Sequence, residues 1–152
     1  MQQPQGNVQY LRQGLGGQVG TVASGCRMEC EWNDTPYSDL RDNQAMVALY
    51  AANSATLGRP LADPRQVPGV VGSTDMGNVS YLVPTIHPMI KVSPPNVAIH
   101  SADFTEWAVS ADGDRAVVDG AKAMAMTVVD LWTRPETLRA ARDEFAAIAG
   151  SR

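Results

Sequence analysis

Between Val117 and Trp132, apolar residues recur at three- and four-residue spacing. Val117, Ala121, Met124, Val128 and Leu131 form one stripe, and Val118, Ala125, Val129 and Trp132 widen it. A stripe this wide on a segment this long predicts a helix largely buried in a core. Asp112, Gly113 and Asp114 offer caps at its start, and Arg134-Pro135-Glu136 restarts a last helix with proline in its first turn. The apolar face of that last helix carries Leu138, Phe145 and Ile148.

At 152 residues the chain is long enough for one core, which would bury roughly two thirds of the unfolded surface. Hydrophobic residues make up 44% and charged residues 18%, close to globular averages, which favours neither a disordered nor a fibrous chain. The net charge is -4 and no stripe of Lys or Arg exists, so neither nucleic acid nor anionic membrane is an expected partner. Small molecules or proteins are. No apolar run approaches the ~20 residues that cross a bilayer, and Met1 to Gly6 lacks the basic and apolar parts of a signal peptide. The expected location is cytoplasmic.

The rest of the chain suggests a mixture of strands and helices. From Val8 to Ser24 the spacing is helical, but four glycines weaken it. Arg27-Met28-Glu29-Cys30-Glu31-Trp32 alternates charged and apolar residues, the pattern of a half-buried strand. On such a strand Cys26 and Cys30 would sit about 13 Å apart, beyond disulfide reach, so both read as reduced packing residues. No further Cys or His stands near them to complete a metal site.

Ser38 or Asp39 can cap a helix running to Leu57, closed by Gly58. Val79 to Val83 reads as a strand buried on both faces, and Ile86 to Val92 as an edge strand interrupted by Pro88. The predicted class is α/β.

Three features can carry chemistry. The run Gly72-Ser73-Thr74-Asp75-Met76-Gly77-Asn78 is either an ordinary turn or a loop that grips a ligand through backbone N–H groups. It lacks the lysine and spacing of a P-loop, and no Gly-x-Ser-x-Gly elbow activates Ser73 or Ser80. His100 ends an apolar run and is followed by Ser101, Asp103 and Glu106, which suits either a metal ligand or a core residue. His87, before Pro88, has the same two readings.

Gly72 to Ser80, Val83-Pro84, Ile86-His87-Pro88 and Ile99-His100-Ser101 through Phe104 together resemble the C-terminal part of the di-zinc aminoacylase/carboxypeptidase metallopeptidases. The nearest branch is the amidohydrolases related to the p-aminobenzoyl-glutamate hydrolase B subunit and β-alanyl-lysine-type dipeptidases. The helix with Ala121 to Thr127 and the Arg134-Pro135-Glu136 restart match it as well.

The resemblance implies part of a three-layer catalytic domain of sheet and helices over 36–152, and over 1–35 a remnant of an inserted α+β lid or dimerisation domain. It implies His100 as a ligand to zinc or another divalent metal. Gly72, Ser73, Thr74, Asp75 and His87 would line the substrate site, and Asp75 could support the ligand. The substrate would be a small amide or dipeptide, and the complete enzyme a homodimer.

The family's His-x-Asp segment, bridging Asp and Glu-Glu pair have no counterpart in these 152 residues, so no catalytic residue is assigned and the chain alone should be inactive. The alternative is a non-catalytic α/β interaction module.

Overall fold

The computed structural model describes residues 19–21, 23–27, 29, 36–62 and 74–150. Residues 19–21 and 23–24 are helical. Five longer elements follow: α1 (Gln44–Thr56), α2 (Met76–Ser80), α3 (Ala102–Ala108), α4 (Ala111–Thr133) and α5 (Pro135–Gly150).

Among the described residues there is no strand, which corrects the α/β expectation. The predicted strand at Val79 to Val83 is the end of α2 and the turn after it, and Leu82 projects into solvent, 77% exposed. A short apolar run does not distinguish strand from helix, and here the residues before it decide. The Thr74 hydroxyl accepts from Met76 N, and Thr74 O accepts from Gly77 N at 3.1 Å, which starts a helical turn.

Ile86 to Val92 is irregular, because its neighbourhood bonds to helix ends and side chains rather than to a second extended segment. Thr85 O accepts from Asn43 N at 2.8 Å, and Lys91 O accepts from Arg59 Nη1 at 2.9 Å. Val97 to His100 forms turns. Most of the Arg27 to Trp32 strand and Cys30 lie outside the described residues, and Cys26 is exposed rather than packed.

Helix α1 begins later than Ser38 or Asp39 because Asn43 caps it. The Asn43 side chain accepts from Met46 N at 3.1 Å and donates to Ala141 O of α5 at 2.9 Å. Glu144 of α5 accepts from Gln44 N at 2.7 Å and from Ala45 N at 2.9 Å. Together they satisfy the N–H groups that open a helix, and the carboxylate sits where the helix dipole favours negative charge. At the other end Gly58, with φ +73, closes α1 as the sequence suggests.

Helix α4 corrects a second expectation. It packs against α1, α3 and α5, but the face it buries is Gly113, Ala116, Ala123 and Thr127. Most of the predicted apolar stripe points outward, with Val117 73% and Trp132 80% exposed, while Leu131 is half-buried. Small residues let α1 come close, and polar pairs hold the two helices together. Asn53 Nδ2 donates to Thr127 Oγ1 at 3.2 Å and to Asp130 Oδ2 at 2.8 Å. Arg59 bridges Asp119 at 2.7 Å, with both side chains largely buried. Among the described residues the buried hydrophobic ones are Tyr50, Ala116, Ala123 and Ala141. A core this rich in alanine buries little apolar area, so the hydrogen bonds carry an unusual share of the specificity.

Candidate functional site

The loop that opens α2 is built to hold another strand of chain. Asn78 Oδ1 accepts from Ser38 N at 2.7 Å and its amide reaches Pro36 O at 3.4 Å. Ser80 Oγ accepts from Arg41 N at 3.1 Å and donates to Gly77 O at 2.6 Å. Tyr81 donates its hydroxyl proton to Asp39, and the Arg41 guanidinium lies 3.9 Å from the Tyr81 ring centre. Gly77 is required by contact. A β-carbon there would come within 1.9 Å of Ser38 O, so any side chain would drive residues 36–41 away. The second half of the motif, Gly77 to Tyr81, is therefore a latch that positions the entry to α1.

The first half holds the predicted ligand-contacting residues. Gly72 and Ser73 lie outside the described residues. Thr74 is half-buried, its hydroxyl engaged by Met76 N. Asp75 is exposed at the cap position of α2, yet its side chain makes no capping bond, which leaves the carboxylate for solvent or a ligand.

His87 lies beside a cleft of about 260 Å³ between the α1 entry and the 86–89 segment. Asp42, Tyr50, Leu61 and Met89 line it with His87, and Asp42 Oδ1 accepts from His87 N at 3.4 Å. An imidazole, a carboxylate and a phenol over an apolar floor suit a small amphipathic ligand. Asp42 was not singled out from sequence. The signal available was its place in the polar run ahead of α1, one residue before the cap Asn43.

His100 stands apart from that cleft, exposed, in the turn before α3. Its φ of +61 is the one positive value at a non-glycine residue among the described residues. Left-handed backbone is costly for a side chain with a β-carbon, though histidine visits it more readily than most. The next residue fastens the turn, since Ser101 Oγ donates to Ala98 O at 2.6 Å and accepts from Phe104 N at 3.3 Å.

The described residues bring His87 and Asp42 together. They do not gather three or more His, Cys, Asp or Glu side chains into a metal-binding group. The donor set thus does not fit a metal centre made by these residues alone.

No family model matches the chain. It is 34% identical over 128 residues to the human Xaa-Arg dipeptidase and 32% identical over 128 residues to the mouse Xaa-Arg dipeptidase. Each match takes in 84% of this chain, but only 29% of the human and 30% of the mouse protein. The chain spans under a third of the length of these relatives, and over that part it shows distant homology to Xaa-Arg dipeptidases.

Proposed function

We propose that this chain supplies part of a metal-dependent amidohydrolase acting on dipeptides or N-acyl amino acids, with His100 contributing one ligand to zinc or another divalent metal. The observation that carries this reading is the 34% identity to a dipeptidase over most of the chain. The left-handed backbone at His100 supports it, because strain of this kind concentrates at functional positions. When bound, a metal of this type polarises the amide carbonyl and activates water. The described residues do not assemble such a centre, so no step of hydrolysis is assigned to them.

Their part is to bind and orient. Gly72, Ser73, Thr74 and Asp75 line the substrate with small groups and a carboxylate, and His87 with Asp42 offers polar contacts over the apolar floor of the cleft. In this reading residues 36–152 belong to the hydrolytic domain and 1–35 to an inserted dimerisation segment, and the complete enzyme is a homodimer.

The test is a chimera in which the matched segment of the human Xaa-Arg dipeptidase is replaced by this chain's. Hydrolysis of an Xaa-Arg dipeptide is expected, and His100→Ala should lower kcat/KM roughly a hundredfold or more. His87→Ala should act mainly through KM. A folded chimera whose activity ignores His100→Ala, or stoichiometric tight zinc on the 152-residue chain alone, would refute the reading.

A further inference from the structure

The cleft beside His87 is bordered by two polar groups whose bonding capacity the described residues leave unused. Tyr50, on α1, is only 3% exposed, yet its hydroxyl makes no hydrogen bond among the described residues. A buried phenol normally finds a partner. No sealed side-chain oxygen or nitrogen of the described residues lacks one, so the Tyr50 hydroxyl is not closed into the core. The opening that Tyr50 borders is this cleft.

Asp42 is the second group. Its Oδ1 accepts a long bond of 3.4 Å from the backbone N of His87, so the imidazole does not neutralise the carboxylate. The nearby cations are engaged elsewhere. Arg41 lies over the Tyr81 ring and 3.8 Å from Asp39, and Arg59 is bound to Asp119. No Lys or Arg lines the cleft, which leaves one uncompensated negative charge beside a free hydroxyl.

The rest of the lining is apolar, from Val47, Leu61, Ile86 and Met89. At about 260 Å³ the cleft falls below the roughly 300–1,000 Å³ of pockets that enclose a drug-sized ligand. It suits one short chain with a charged head. A carboxylate and a hydroxyl oxygen both accept from N–H groups, and an apolar wall packs a methylene stem.

We propose that this cleft is a subsite for a cationic group, an ammonium or guanidinium carried on a short alkyl stem. Asp42 pairs with the charge, Tyr50 accepts a second N–H, and Leu61 and Met89 pack the stem. The proposal rests on the hydrolase reading for the ligand's identity as the basic end of a dipeptide substrate, and it goes further by assigning Asp42 and Tyr50 to it.

The test is an NMR titration of the whole chain with butylguanidinium, butylammonium, neutral butylurea and butyrate. Either cation should bind with a millimolar Kd and shift the amide signals of Leu61, His87 and Met89. Butylurea should bind about three- to fivefold more weakly, the scale of an ion pair that water still reaches. Asp42→Asn should erase that difference, and 0.5 M NaCl should shrink it. Tyr50→Phe should weaken cation binding about twofold, with circular dichroism unchanged because the hydroxyl has no bond within the described structure to lose. Butylurea or butyrate binding as tightly as the cations, a cation preference that survives Asp42→Asn, or no shift at these amides would each overturn the proposal.

In the dipeptidase chimera, Asp42→Asn should raise KM about three- to fivefold for a dipeptide with a basic residue and leave KM for a neutral dipeptide unchanged. Active chimeras without that difference overturn the subsite. A folded, inactive chimera beside a chain that binds butylguanidinium overturns the hydrolase reading and leaves the cation site standing.

Discussion

His100 and Gly77 show how backbone constraint separates two kinds of importance. At Gly77 the constraint is steric and local, since Ser38 O occupies the place of a side chain. At His100 a side chain is kept despite φ +61, where glycine would sit without strain. His100→Gly is therefore expected to leave stability in urea unchanged or raised by up to about 1 kcal/mol, while abolishing activity in the dipeptidase chimera. A substantial loss of stability would mean that the imidazole is held for structural reasons. His100 was singled out in the sequence by its place at the end of an apolar run. The roles of Asn78 and Ser80 were not, because their partners at 36–41 lie some forty positions earlier in the chain.

At the scale of elements, the start of α1 depends on α5. Glu144 accepts from two N–H groups at that start, and Asn43 joins the same start to Ala141 O. Glu144→Gln keeps one acceptor oxygen and loses the charge, for an expected cost of about 1 kcal/mol in chemical denaturation. Glu144→Ala should cost up to about 2 kcal/mol, with early hydrogen exchange at Gln44 and Ala45. The stop of α1 at Gly58 and the proline start of α5 were legible, since both are local chemistry. The start of α1 was displaced to Asn43 because a cap is chosen by whichever side chain tertiary contacts bring into place. The same applies to α2, where Thr74 and the space left by Gly77 favour a helical turn over the strand that Val79 to Val83 suggested.

For the whole molecule, a core of alanines and one tyrosine joined by Asn53, Thr127 and Asp130 offers modest hydrophobic stabilisation. Among the described residues no helix is long and apolar enough to cross a membrane.

The sequence by itself determined that a helix closes at Gly58 and that a long helix is followed by a last one opened by Pro135, and it carried the likeness to the dipeptidases, but it placed the helix starts at Ser38 or Asp39 and at Asp112 to Asp114 where Asn43 and Ser110 are the caps. Only the tertiary structure decided that α4 turns its small face inward, that residues 76–80 form a helix, and that His87 meets Asp42 while His100 stands apart. The reason is physical. Periodicity records that a face is apolar, but which face is covered depends on which neighbour fits against it, and α1 fits where Ala116, Ala123 and Thr127 leave room and Asn53 finds its partners.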